Sequence, residues 1–301
     1  MIKKTLYFGN PAYLSLQNKQ ILIRLPKEGR EELHTRPVED TAILILDHPQ
    51  ITITHQLIKA LQANKTAILS CNEEHLPSAL MLPMEGHVEQ TRRYRFQIRA
   101  SEALKRNLWQ QTVQAKIYNQ MQVLIKLNKP VKQLRALHRK VRSGDPDNTE
   151  GQAAARYWAL WREGFIRDRY GDPPNALLNY AYAVLRAFVA RALVASGLLP
   201  SLGIHHRNKY NAYCLADDVM EPFRPFIDLL VYELMEEEGL WEEEELVLTP
   251  SLKSRLLSLA TLDALYGKRK SPLMVGLGMT TASLAACYEG KKRRIVYPVL
   301  P

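Results

Sequence analysis

The hydrophobic pattern of this chain changes period once. Through the first seventy residues apolar positions come in short runs, "TLYFG", "AYLSLQ", "QILIRL" and "TAILILD", rich in β-branched and aromatic residues and bounded by Gly, Pro and Asn. Each reads as a strand, and Asn18-Lys19 stands where a tight hairpin turns. The stretch "ITITHQLIKALQANKTAILSC" predicts a short helix from about Thr54 to Ala63, then a strand through Ile68 and Leu69. From Asn72 to Gly86 the pattern dissolves, and Pro77, Pro83 and Gly86 mark a linker, with a boundary near residue 85.

Beyond it the period becomes 3.6. "EQTRRYRFQIRASEALKRNLWQQTVQAKIYNQMQVLIKL" has no Pro or Gly and predicts one or two helices with Arg92, Arg95, Arg99 and Arg106 on one face. With only Glu89 and Glu102 nearby, that stripe suits phosphate contacts better than a balanced solvated surface. After the turn "RSGDPDN", "TEGQAAARYWALW" starts a helix with Asp145 or Asp147 as N-cap and Pro146 as a first position. "NALLNYAYAVLRAFVARALVASG" is an Ala-rich central helix ended by Gly197. "FIDLLVYELMEEE" and "SLKSRLLSLATLDALYG" add two more, and the acidic run Glu236 to Glu245 reads as a solvated helix end and loop. The fold class is α+β: a small β-rich domain, residues 1–85, before a larger all-α domain, residues 86–301.

Length and charge narrow the function. A chain of 301 residues holds a sizeable core in one or two domains. No apolar run approaches the roughly eighteen residues that span a bilayer and no signal peptide is evident, so a cytoplasmic protein without a membrane partner is expected. Cys71, Cys214 and Cys287 lie far apart, which argues against a disulfide framework and a thiolate zinc site. The net charge of +10 is localised: residues 91–215 hold 22 Lys and Arg against 7 Asp and Glu, whereas residues 1–90 hold 9 against 10 and residues 216–301 hold 10 against 14. Solubility needs no such clustering, and a polyanion surface does.

The candidate chemistry lies in "LGIHHRNKYNAYCLADDVMEPFRPFID". Asp218 and Glu221 are three apart and Asp217 and Glu221 four apart, so on a helix entering at about Tyr213 one pair shares a face. Pro222 and Pro225 then kink or restart the helix, leaving carboxylates at its end, to be pinned by a cation or by Arg224 and Lys209. Glu150 opens a helical stripe through Ala154, Tyr157, Trp158 and Trp161. One Glu, one His and one or two further carboxylates make an oxygen-rich donor set, suited to Mg²⁺ or Mn²⁺ rather than zinc. Beside the basic block, the substrate would be a phosphodiester.

Three runs, "SGDPDNTEGQAAARYW", "PPNALLNYAYAVLRA" and "LGIHHRNKYNAYCLADDVMEPFRPFID", resemble in order the blocks of the CRISPR-associated integrase-endonuclease, the larger of the two universal adaptation proteins. "TLYFGNPAYLSL" and "LDHPQITIT" resemble the variants that accompany type II systems. The resemblance implies a β-rich amino-terminal domain serving dimerisation and a helical catalytic and DNA-binding domain. It implies a metal triad of Glu150, His206 and Glu221, with Asp218 as accessory carboxylate. Counting from Gly203 selects His206, and His205 is the alternative ligand or a neighbour. Pro222 stands where many relatives carry an acid. Asn175 and Arg224 are candidate site-lining helpers, Arg224 equally an ion-pair partner for Glu221 or Asp228.

By the same resemblance the chain is a metal-dependent DNA endonuclease and integrase that joins a short prespacer into a repeat array by attack of a 3′-hydroxyl on a phosphodiester. Its implied partners are double-stranded DNA, a second copy in a homodimer and a small CRISPR adaptation protein. The basic "KKRR" at Lys291 to Arg294 could meet DNA or that partner, or be a frayed end. The contrasting reading is a non-catalytic dimeric DNA-binding scaffold whose acids are paired with Arg207, Lys209 and Arg224.

Overall fold

In the computed structural model, residues 3–27, 30–168, 171, 173–243 and 246–301 are described, and contacts divide the chain into two units, Met1–Gly86 and His87–Pro301. The amino-terminal unit holds two four-stranded sheets. In one, β1 (Lys4–Phe8), β5 (Thr41–Leu46) and β7 (Ala67–Cys71) run parallel in the order β1-β5-β7, and β8 (Pro77–Met81) adds an antiparallel edge. The segment read as a linker thus contains a strand: Ser70 pairs with Ala79, and Pro77 is accommodated as the first residue of this edge strand, opposite Cys71. The other sheet has the order β4-β3-β2-β6, from β2 (Ala12–Gln17), β3 (Gln20–Lys27), β4 (Arg30–Pro37) and β6 (Ile51–Ile53). Asn18 and Lys19 both adopt positive φ, 48° and 61°, the conformation that lets two residues turn β2 into β3.

Helix α1 (His55–Ala63) is capped by Thr54, whose hydroxyl accepts the Leu57 amide. Its Leu57 and Leu61 close over an apolar cluster drawn from both sheets, including Phe8, Leu14, Ile21, Leu44 and Ile68. Each such side chain, fully buried, contributes on the order of 2 kcal/mol.

The carboxy-terminal unit is helical: α2 (Gln90–Ile98), α3 (Glu102–Lys126), α4 (Lys132–Lys140), α5 (Thr149–Trp161), α6 (Asn175–Ala195), α7 (Cys214–Met220), α8 (Arg224–Glu237), α9 (Pro250–Leu257) and α10 (Leu273–Tyr288). It is not all-α. The Leu-rich "SLKSRLLSLATLDALYG" leaves the helix after Leu257 and enters a hairpin of β9 (Asp263–Tyr266) and β10 (Arg269–Pro272), turned at Gly267 with φ 64°. Gly267 supplies a backbone conformation that other residues resist, and that local demand ends the helical pattern.

Helix α6 is the core of this unit. It is long and apolar enough to cross a membrane by length and composition, but 78% of its apolar window is buried inside the unit, so protein already covers it. The arginine stripe is divided. Ser101 caps α3 by accepting the Leu104 amide, which separates Arg92, Arg95 and the helix-ending Arg99 on α2 from Arg106 on α3.

Candidate active site

Four segments of the carboxy-terminal unit deliver the candidate groups, and α3 supports them all. Glu150 is the second residue of α5. The N-cap is Asn148, not Asp145 or Asp147; its side chain accepts the Gly151 amide at 3.3 Å. Asp145 instead accepts the amides of Thr149 and Glu150, both at 2.9 Å, which satisfies two free donors of the first turn and fixes the Glu150 backbone. Asp147 pairs with Arg142. A β-carbon at Gly151 would meet the Asn148 side chain at 2.8 Å, so the glycine after Glu150 makes room for the cap. The stripe below Glu150 buries Thr149, Ala153, Tyr157 and Trp161, with Ala154 and Trp158 half-covered beside it.

Glu221 lies where α7 gives way to a 3-10 turn, Glu221–Phe223, before α8 begins at Arg224. Pro222 and Pro225 permit this because a helix start needs no amide at those places. Asn119 of α3 donates to the carbonyls of Pro222, at 2.7 Å, and Pro298, at 3.0 Å, and accepts from the Leu300 amide at 3.1 Å. The Glu221 turn is thereby tied to α3.

One helical turn before Asn119 on α3, Lys116 brings the two glutamates together. Its ammonium pairs with Glu150 and lies 2.5 Å from Oε2 of Glu221. Nε of Arg224 lies 2.9 Å from Oε1 of Glu221, and its guanidinium covers the Tyr182 ring at 4.6 Å. Burial works against the Lys116 charge, but Glu221 and Glu150 outweigh it and its pKa stands above the ordinary lysine value. Burial likewise opposes ionisation of Glu221, yet Arg224 and Lys116 hold its carboxyl down at about 2.

The histidine loop is held by Asp218, which is fully buried. Its carboxylate accepts the amides of Ile204 at 2.5 Å, His205 at 2.9 Å and His206 at 3.2 Å, and Nδ1 of His206 at 2.6 Å. With Nδ1 donating, Nε2 is the ring nitrogen left with a lone pair. The hydrogen bond to Asp218 raises the His206 pKa against the opposing effect of burial. His205 stacks flat on Trp109 of α3, centroids 4.2 Å apart and planes 2° from parallel, and burial lowers its pKa. Gly203 is required: a β-carbon there would strike the His206 carbonyl and approach Oδ2 of Asp218 to 2.9 Å.

The remaining candidates separate. Asp217 is taken by Arg186, at 2.6 and 3.0 Å, and by Asn211 at 2.7 Å. Asn175 clasps the loop before α6: it accepts from Arg167 and the Asp168 amide and donates to the Ile166 carbonyl. Arg207 pairs with Glu102 and Lys209 lies over Tyr210, so neither neutralises the acidic cluster. Glu244 and Glu245 of the acidic run lie outside the described residues.

Among the described residues no three His, Cys, Asp or Glu side chains form a ready-made metal cage. The chemistry of the donors nonetheless fits a hard divalent ion: two carboxylates from different elements converge on one cationic point, occupied by the Lys116 ammonium, and an imidazole is oriented through its other nitrogen by a carboxylate.

Two open grooves flank this region. One, about 600 Å³, is lined by His206 with Gln97, Lys105, Arg207, Lys209 and Tyr288. The other, about 890 Å³, lies between the amides Asn107, Gln110, Gln111 and Gln114 of α3 and the basic run Lys292, Arg293 and Arg294. That run is no frayed end. Gln111 donates to the Arg293 carbonyl and accepts the Ile295 amide, and Thr280 and Ser283 of α10 hold both backbone groups of Val296. The Lys292, Arg293 and Arg294 side chains make no ion pair among the described residues.

Residues 6–259 match the family model described as CRISPR associated protein Cas1. The chain is 42% identical over 260 residues to a CRISPR-associated endonuclease Cas1 of Neisseria meningitidis serogroup C, covering 85% of this chain and 83% of that one. Its fold is similar to that of a casposase bound to integration product, TM-score 0.81 at 20% identity over 98% of this chain and 93% of the other. It is also similar to a chain of a Cas6-RT-Cas1–Cas2 complex, TM-score 0.74 at 17% identity over 97% of this chain and 35% of the other.

Proposed function

This chain belongs to the CRISPR-associated Cas1 family, and from that premise we propose that it is a metal-dependent DNA endonuclease and integrase of CRISPR adaptation. It would insert short prespacer DNA into a repeat array by attack of a 3′-hydroxyl on a phosphodiester. The observation that carries this reading is the convergence of Glu150 and Glu221 on one cationic point, in a unit that holds the basic block.

In the proposed site Glu150, Glu221 and Nε2 of His206 would hold Mg²⁺ or Mn²⁺, which when bound would polarise a phosphoryl oxygen and stabilise the charge that develops in strand transfer. The chain's own groups prepare that place. Asp218 fixes the tautomer and direction of His206, Asp145 fixes Glu150, and Asn119 and Arg224 fix Glu221. Arg224 also offers a guanidinium beside the reacting phosphate, where positioned charge is most effective. Strand transfer needs no covalent enzyme intermediate, so alignment and charge neutralisation suffice.

The proposed partners are double-stranded DNA, a second copy of this chain through the β-rich unit, and the small adaptation protein. Of the proteins similar in fold, one is a casposase bound to integration product and another belongs to a Cas6-RT-Cas1–Cas2 complex, which supports the proposal of DNA and a protein partner. DNA would be held through its phosphates by the exposed Arg92, Arg95, Arg99 and Arg106 and by Lys292, Arg293 and Arg294.

The Lys116 bridge favours one other reading, a non-catalytic DNA-binding scaffold whose acids are neutralised internally. Strand transfer separates the two. With duplexes bearing free 3′-hydroxyls, a plasmid carrying a repeat array, the small partner and Mn²⁺, the enzyme yields joined product that chelation abolishes. The scaffold binds both DNAs and joins neither.

A further inference from the structure

Lys116 is a buried, positively charged residue among acids that the proposed reaction already uses. A buried ammonium is tolerated only with close anionic partners, and this one has two, Glu150 and Glu221, on separate elements. Its aim is set by α3: Asn119 ties the Glu221 turn to the same helix one turn away, and Trp109, two turns back, stacks on His205 beside His206. Helix α3 therefore carries the cation, anchors one of its carboxylates and supports the neighbouring imidazole.

We infer that Lys116 is a positioning residue that acts as a placeholder cation, holding Glu150 and Glu221 at a shared point until a divalent metal ion takes that point and displaces the ammonium. The inference rests on the proposed metal site. Without a cation between them the two carboxylates would repel, and the site would open or Glu150 would turn to solvent. With Lys116 and Arg224 present, two positive charges face two negative ones and the group is neutral. A divalent ion at the same point would stand beside an ammonium in a poorly screened setting, and that repulsion drives the lysine away on its flexible stem.

A lysine with a merely structural role predicts that its loss weakens the site, whereas a placeholder predicts tighter metal binding on its loss. The test measures Mn²⁺ affinity of the full chain by electron paramagnetic resonance, with thermal melting of the metal-free protein alongside, for wild type, Lys116→Gln, Lys116→Arg and a Glu221→Gln control. Lys116→Gln is expected to melt lower without metal and to bind Mn²⁺ at least about tenfold more tightly, since one competing charge is gone. Lys116→Arg keeps the charge and is expected to bind no more tightly than wild type.

Wild-type binding that Glu221→Gln abolishes, with Lys116→Gln no tighter than wild type, overturns the placeholder and leaves the metal site standing. Absence of Mn²⁺ binding from wild type and Lys116→Gln alike overturns both. If Lys116→Gln does not fold, Lys116→Met decides by the same measurement: Mn²⁺ binding tighter than wild type supports the inference, and binding no tighter than wild type contradicts it.

Discussion

Nδ1 of His206 lies 2.6 Å from Oδ1 of Asp218, and the same carboxylate holds three consecutive backbone amides of the loop that carries the histidine. Asp218 is therefore an orienting group for His206. Asp218→Ala leaves those amides without their acceptor and is expected to cost roughly 3 kcal/mol or more, read from denaturant unfolding. Asp218→Asn keeps one acceptor oxygen and is expected to fold, with strand transfer reduced about 10- to 100-fold because the imidazole is no longer aimed.

Asn119 makes the corresponding prediction for Glu221. Asn119→Ala strands two carbonyls and one amide around the Glu221 turn. A loss of roughly 2 to 4 kcal/mol is expected by thermal or denaturant melting, with DNA affinity unchanged in material that remains folded.

The site was partly legible before the structure. Glu150, His206, Asp218 and Glu221 stand in runs whose glycines and prolines announce a loop and a broken helix, and Gly203 and Gly151 prove necessary for close approach. Lys116 and Asn119 carried no such mark. They sit three apart in the long α3, where polar residues usually face water, and only the packing of α3 against the Glu221 turn buries them. The arginine stripe is split over two helices for a local reason, since Ser101 starts a new helix between Arg99 and Arg106. The β9 and β10 hairpin was hidden because its leucines continue a helical spacing into a strand.

Asp228 predicts a pH dependence. Burial raises its carboxyl to about 6, although hydrogen bonds from Tyr182 and Tyr157 and the nearby charges of Lys116 and Arg224 pull the other way. A folded pKa above the unfolded one gives a contribution complete below the ordinary carboxylate pKa and lost as pH rises through the folded value. Relative to the non-ionising Asp228→Asn, wild type should lose up to about 3 kcal/mol between pH 4 and 7.5. Stability curves of both proteins across that range check the sign, and a constant gap would mean that Asp228 does not take up its proton on folding.

The ordered basic run predicts a salt effect. Replacing Lys292, Arg293 and Arg294 together by Ala should weaken duplex binding at low salt and reduce the slope of log affinity against log salt by roughly two to three. Arg92 already pairs with Glu89 at 2.6 Å, so Arg92→Ala should change the slope by less than one phosphate contact, about 0.9. Fluorescence anisotropy at several salt concentrations measures both.

The central claim is that Glu150, His206 and Glu221 form one metal-dependent strand-transfer site. Its most direct measurement is joining of 3′-hydroxyl duplexes into a repeat plasmid by wild type, Glu150→Gln, His206→Ala and Glu221→Gln, each first matched for folding and duplex affinity. Each substitution is predicted to lower joining by about a hundredfold or more with DNA affinity intact. Joining that survives all three at the wild-type rate would contradict the account.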